Sequence, residues 1–344
     1  MASKKHFDVL TVGTASRDVF LKSPLFKVVK DPEHLEKLGF EQGKAECFAF
    51  GGKIDINEIY FDTGGGATNA AVTFARQGFR TGTITSLGED KVAEEVLAAL
   101  RQEGIQVFHS LSKKPSSYST LLLTEEGERT VLVARGASDD LDLKSIPLAS
   151  LTAKWLYISP GAIKFSMIEK LVNYFQKQGA NIAINPSAHC IKTAKTKLKK
   201  LLKKVQLVIL NRSEAAQMTG AAFEQEREIL KKLSGYTEGI IVMTEGPQGV
   251  LVSNGRYIYR AGTFKESAVR DRTGAGDAFG SGFAAALMKD PQLNEQVIRE
   301  AIRLGSANAT AVVERIGAKT GILDLKTYER AKHFKNLTIR KTLL

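Results

Sequence analysis

Two hydrophobic rhythms alternate along most of the chain. Short apolar runs at residues 7–12, 81–86, 107–109, 155–158, 181–185, 207–210 and 239–244 read as strands. Stripes at helical spacing at 67–77, 91–103, 166–178, 194–204, 213–218 and 223–233 read as helices, the first closed by Gly78. Strands apolar on consecutive residues are covered on both faces, so regular strand–helix alternation predicts a parallel sheet between two layers of helices. From residue 19 to 62 the rhythm changes. Residues 31–42 predict a short helix with Pro32 in its first turn. Residues 47–50 and 54–61 alternate apolar with polar around Gly51-Gly52-Lys53 and predict a half-exposed hairpin. A second hairpin, 118–124 with 129–133 around Glu125-Glu126-Gly127-Glu128, could extend the first into one small sheet away from the main body. The expected fold class is α/β: a mostly parallel central sheet in a main body, with a small sheet beside it.

Composition narrows the function classes. At 344 residues, 43% hydrophobic and 25% charged, the chain suits a large globular domain with a smaller appendage. No window has the apolar length of a membrane span, and the start leads straight into a strand without a signal-peptide core. Cys47 and Cys190 stand alone, without metal spacing, which suits a reducing cytoplasm. A cytoplasmic protein without a membrane partner is expected. The net charge of +12 sits largely in residues 192–204, where Leu198, Leu201 and Leu202 mark one face of a helix. That pattern is a solvated helix face, without the aromatic interleaving of a nucleic-acid binder, so no nucleic-acid partner is expected. A basic surface still favours small anions such as nucleotides.

The chemistry concentrates in Asp271-Arg272-Thr273-Gly274-Ala275-Gly276-Asp277, at the start of a helical run. Backbone around Gly274, Ala275 and Gly276 can turn tightly and aim successive N–H groups at one point, with a helix dipole behind them. Asp277 would repel an anion held there, unless it removes a proton from a hydroxyl while the amides neutralise a transferring phosphoryl group. A plain helix cap is the alternative. Asp18 follows the first strand, where ligands of open α/β sheets bind, and is either a hydroxyl acceptor or a turn acid. Gly64-Gly65-Gly66 leads into a helix of small residues, where Asn69 offers a donor and an acceptor to a polyol. Asn211 and Glu214 lie one helical turn apart, able to hold a hydrated Mg²⁺, though Ser213 could equally cap the helix. Thr244-Glu245-Gly246-Pro247-Gln248-Gly249 suits nucleotide phosphates or a hairpin, and the Ala-rich helix bearing Asn308 suits a flat base or close packing. Gly-x-x-x-x-Gly-Lys-Ser/Thr is absent, and Phe279 stands where a dinucleotide fingerprint needs its third glycine.

In this order the motifs resemble those of the PfkB/ribokinase family of carbohydrate and nucleoside kinases, along nearly the whole chain. Asp271–Asp277 running into Ala278-Phe279-Gly280-Ser281-Gly282-Phe283 is similar to the family's second signature, and Gly64-Gly65-Gly66-Ala67-Thr68-Asn69 to its first. The resemblance implies one ribokinase-like domain, a three-layer αβα sandwich with main body approximately 1–18, 63–113 and 136–344. The lid would be approximately 19–62 and 114–135. It implies ATP-dependent phosphorylation of a sugar hydroxyl, with Asp277 as base and Gly274, Ala275 and Gly276 as anion hole. Asp18, Gly65, Gly66 and Asn69 would hold the sugar. Asn211 and Glu214 would organise Mg²⁺ and phosphate, and Thr244, Gly246 and Gly249 would lie along the nucleotide with Asn308 near its base. A monovalent cation such as K⁺ would sit close to Asp271 and Gly317, and the lid would pair with a second subunit's lid. Arg272 replaces a commoner small hydroxyl residue, and the segment 22–46 is longer than in compact sugar kinases. A nucleoside acceptor would need an aromatic shelf, from Phe48, Phe50, Tyr60 or Tyr118. Asn185-Pro186-Ser187 leans toward the sugar kinases. A phosphosugar would need basic groups, with Arg17, Lys53 and Arg129 as candidates. A non-catalytic nucleotide or sugar sensor would not need Asp277.

Overall fold

The computed structural model describes residues 4–40, 43–124, 129–290 and 292–344. Among them a ten-stranded sheet forms the centre. Its spatial order is Ile339–Leu343, Tyr257–Ala261, Val250–Ser253, Ile240–Thr244, Leu207–Asn211, Asn181–Ile184, Leu151–Ser159, Lys5–Gly13, Thr81–Gly88 and Gln106–Ser112. From Gln106–Ser112 across to Ile240–Thr244 all neighbours are parallel, and the three remaining strands add on antiparallel.

Consecutive apolar residues bury on opposite faces, which is why these strands lack polar alternation. Leu156 and Ile158 join a core with Leu171, Leu198 and Ile229 from helices on one face. Tyr157, between them, joins Phe74, Phe283 and Ile302 on the other. The fold is a three-layer αβα sandwich of the expected class.

The small sheet has the order Glu58–Gly64, Ser16–Lys22, Ser117–Leu123 and Arg129–Ala134. The first expected hairpin does not form. Lys44–Cys47 pairs with Lys27–Lys30 in a separate two-stranded sheet, and Glu58–Gly64 pairs with Ser16–Lys22. The competing strand is Ser16–Lys22, so Asp18 lies within a strand and not in a turn. Its Val19-Phe20-Leu21 centre is strand-forming, and Phe20 buries fully against Leu121 and Leu123. Ser117–Leu123 does pair antiparallel with Arg129–Ala134, and it lies parallel to Ser16–Lys22, which completes one sheet. The turn expected at 125–128 lies outside the described residues. The expected helix at 31–42 shortens to Pro32–Leu35, with Asp31 accepting from the His34 amide, followed by a 3₁₀ turn, and its last residues, 41 and 42, also lie outside.

Strand alternation then sorts the small sheet's side chains. Asp62, Asp18, Ser119 and Val133 share one register row, and Phe61, Val19, Thr120 and Leu132 share the next, on the opposite face. The first row looks into the cleft against the main body.

Candidate active site

The Ala275–Lys289 helix sets the site. Gly274, its N-cap, adopts φ 76°, a left-handed conformation, and a Cβ there would stand 2.5 Å from the Cβ of Ala318. Only glycine permits both the turn and that approach. Of the three expected anion-hole amides, Ala275 N–H bends onto the Arg272 carbonyl at 3.3 Å, whereas those of Gly274 and Gly276 have no partner among the described residues. They open on the positive end of the helix dipole.

Two cavities meet at this turn. One, of about 220 Å³, is lined by Asp18, Gly65, Gly66, Asn69, Arg135, Thr273, Gly274 and Asp277, among others. The other, of about 260 Å³, is lined by Thr244, Gly246, Gly249, Arg272, Ala275, Gly276, Phe279 and Ala309, among others. Residues 273–277 are thus the wall between them, with Asp277 on one side and Gly276 on the other.

Asp277 Oδ2 accepts from Asn69 Nδ2 at 2.9 Å. Burial raises the Asp277 pKa above the ordinary carboxylate value; the Asn69 bond and the charge of Lys319 oppose the rise, and Asp18 adds to it. Asp18 is also raised, chiefly by burial, and accepts from Ser16 Oγ at 2.9 Å. The Asn69 amide oxygen is buried without a partner, a free acceptor for an incoming hydroxyl. Close approach explains the glycines before Asn69. A Cβ on Gly65, at φ 100°, would lie 2.4 Å from the Thr14 carbonyl oxygen, and one on Gly66 would lie 2.1 Å from Ser159 Oγ.

Sequence reasoning missed Lys319. It is buried, and its ammonium donates to the Thr63 carbonyl at 2.6 Å and to Thr63 Oγ1 at 2.9 Å. Burial lowers its pKa to about 8, against the opposing charges of Asp62, Asp18, Asp277 and Glu103. Its signal in the sequence was a lone lysine in the small-residue stretch Gly317-Ala318-Lys319-Thr320-Gly321.

Other expected residues take different tasks. Asn211 caps the Arg212–Thr219 helix: its Oδ1 accepts from the Glu214 amide at 2.8 Å, and Glu214 Oε2 accepts from the Asn211 amide at 2.9 Å. The cap is therefore Asn211, not Ser213. Burial raises the Glu214 pKa, and the charge of Asp277 reaches it. Its Oε1 stays free. Among the described residues no three His, Cys, Asp or Glu side chains gather as a metal cluster, so a metal here would take its other ligands from phosphate and water. Asp271 clasps the turn before the helix. Its Oδ1 accepts from the Thr273 amide and hydroxyl at 2.9 and 2.7 Å, and its Oδ2 from the Gly317 amide at 3.3 Å. Asn308 is a correction. It is buried, donating to Ala278 O and Thr73 Oγ1 and accepting from the Leu323 amide, so it braces two helices. The face of the same Glu295–Val313 helix that does open on the second cavity carries Ser306, Ala309, Thr310 and Val313. Arg272 lines that cavity, the one basic side chain among its described residues.

A family profile described as pfkB family carbohydrate kinase matches residues 42–325. The chain belongs to the pfkB family of carbohydrate kinases. Its relatives include a ribokinase of Haemophilus influenzae, 28% identical and aligned over 75% of this chain and 83% of that protein. A cytidine kinase of Thermococcus kodakarensis is 29% identical over 77% of this chain and 95% of that protein. Among solved structures, a probable sugar kinase of Rhizobium etli superposes with a TM-score of 0.75 at 22% identity, covering 95% and 99% of the two chains. An Arabidopsis thaliana ribokinase solved with ribose and ATP superposes at 0.71 with 21% identity, covering 97% and 99%. These folds agree with the ribokinase-like sandwich and its small separate sheet. Among the described residues no helix of this kinase is long and apolar enough to cross a membrane.

Proposed function

We propose that the protein transfers the γ-phosphoryl group of ATP to a hydroxyl of a carbohydrate, with Asp277 as general base. The observation that carries this is the wall at 273–277: a carboxylate and two unpaired amides separate a hydroxyl-lined cavity from a second one with nucleotide-sized character. The Arabidopsis ribokinase solved with ATP supports ATP as donor.

The acceptor hydroxyl would lie against Asp277, oriented by Asp18 and by the free Asn69 oxygen. As its oxygen bonds to the γ-phosphorus, Asp277 takes the proton, and the bond to the β–γ bridging oxygen breaks to release ADP. The Gly274 and Gly276 amides receive the charge on the transferring group, and Arg272 adds a cation at the wall of the nucleotide cavity. Mg²⁺ fits beside Glu214, where it would neutralise the β- and γ-phosphates. Positioning and charge stabilisation suffice for this chemistry.

Carbohydrate is favoured over nucleoside because no aromatic ring among the described residues lines the acceptor cavity; Phe48, Phe50, Tyr60 and Tyr118 all lie outside its wall. The exposed apolar edges of the small sheet support a lid that pairs with a second copy, and the two free cysteines suit a cytoplasmic enzyme. ADP release measured against pentoses, hexoses, sugar acids, sugar phosphates and nucleosides tests the reading. A sugar response that Asp277→Ala removes, with ATP binding kept, supports it. A response confined to nucleosides, or equal turnover in Asp277→Ala, ends it.

A further inference from the structure

We infer that the acceptor is an anionic carbohydrate, a polyol carrying a carboxylate or phosphate, and that Arg135 reads its charge. The inference rests on the carbohydrate-kinase reading above and narrows its substrate.

Among the described residues three charged side chains line the acceptor cavity: Asp18, Asp277 and Arg135. The two carboxylates suit hydroxyls, one as base and one as acceptor. Neither they nor any other described residue pairs with the Arg135 guanidinium. Its place follows from strand register. Val133 shares the cleft-facing row with Asp18 and Ser119, and Arg135 follows two residues on, at the end of the Arg129–Ala134 strand, in the cavity wall.

The basic groups expected from sequence do not serve. Arg17 lies on the outward face, over the Phe61 ring at 4.9 Å and paired with Glu95. Arg129 shares the inward face but stands about 20 Å along the strand from Arg135, at 3.3 Å per residue. Lys53 is exposed and does not line the cavity.

A neutral sugar leaves a guanidinium in that wall without a task. An anionic group placed there meets a planar fork that matches carboxylate or phosphate oxygens in pairs. Without that fork the two carboxylates would repel the substrate. Asp277 belongs to the main body and Arg135 to the small sheet, so the anion and the reacting hydroxyl sit at opposite ends of the acceptor. The product carries two anionic groups.

The test compares kcat/KM on matched acceptors: neutral hexoses and pentoses, the corresponding aldonic, uronic and 2-keto-3-deoxy acids, and the corresponding sugar monophosphates. Wild-type enzyme should prefer one anionic class over its neutral counterpart at least 10-fold, and the preferred class identifies carboxylate or phosphate. Arg135→Gln should lose about 10- to 100-fold on the anion, mainly through KM, the range of a charge-assisted hydrogen bond, and less on the neutral counterpart. Arg135→Lys should recover part of the loss. An ATP-dependent rise in Tm retained in both variants shows that the fold and the nucleotide site persist. Equal or better turnover of neutral sugars, or an equal loss on both in Arg135→Gln, overturns the anionic acceptor and leaves the kinase standing. ADP release with no acceptor at all overturns both.

Discussion

Asp277 is held in a state that costs the fold something. Its carboxyl is raised above the usual value by burial, so between the unfolded value of 3.8 and that raised value the folded chain binds more protons than the unfolded one. Stability therefore falls as pH rises through that window. Asp277→Asn keeps an oxygen for the Asn69 amide and removes the charge. Thermal unfolding at neutral pH should show a higher Tm than wild type, while turnover falls by about 10²–10⁴-fold. A lower Tm would mean that the charge is stabilised in the folded state after all. Lys319 works in the opposite direction, as the buried cation that favours ionised Asp277 and Asp18. Lys319→Met should raise the Asp277 pKa and move the acidic limb of kcat/KM to higher pH. An unmoved limb would reduce Lys319 to a brace for Thr63. Its own ionisation gives a second reading. Folded at about 8 and unfolded at 10.5, it penalises the fold below 8, and the penalty is relieved as pH rises across that interval. Wild-type stability should accordingly gain on Lys319→Met between those values. Asp277 and Asn69 were legible because glycine-rich turns mark where backbone opens on a ligand. Lys319 and Arg135 were not, because a single basic residue declares nothing until the fold shows what it faces.

At the level of elements, the candidate site is built from helix ends, and one of them would carry two tasks under the proposed function. The Asn211–Glu214 capping box closes the first turn of Arg212–Thr219, yet it leaves Glu214 Oε1 free within reach of the Asp277 charge. Two substitutions separate the tasks. Asn211→Ala removes the cap and should cost about 1 kcal/mol in denaturant unfolding. Glu214→Gln keeps the bond to the Asn211 amide, so stability should hold while the Mg²⁺ concentration for half-maximal rate increases. An unchanged Mg²⁺ requirement would leave Glu214 as a cap alone. The same scale shows which structure could be read in advance. The parallel strands were legible because both faces are covered, so consecutive Leu, Ile and Val announce them. The small sheet was misread in its first half because alternation is a weak signal beside Gly51-Gly52. Pairing went instead to Ser16–Lys22, whose buried Phe20 is decided by tertiary contact. Asn308 failed for a related reason. Periodicity located the helix, but one position of rotation separates the face that lines the second cavity from the face that packs on Ala278.

The molecule as a whole is a sandwich with a thin sheet beside its cleft, and that sheet has two faces with different needs. Its inward face carries Asp18, Ser119 and Val133 and opens on the acceptor cavity. Its outward face carries Ile59, Phe61 and Leu132 at its edges, 53%, 59% and 56% exposed. Apolar side chains concentrated at the edges of a small sheet, with open strand borders beside them, are where a folded chain gains most by association. A second copy laying its own sheet across this face would bury them and stiffen the row that holds Asp18, so assembly would couple to acceptor binding. Leu132→Glu places a charge in the middle of that contact and points away from the cavity. Sedimentation should find wild type as a dimer and Leu132→Glu as a monomer, with the acceptor KM raised and ATP binding kept. A wild-type monomer, or a mutant dimer of undiminished affinity, would mean that the lid closes within one chain and its outer face has another purpose.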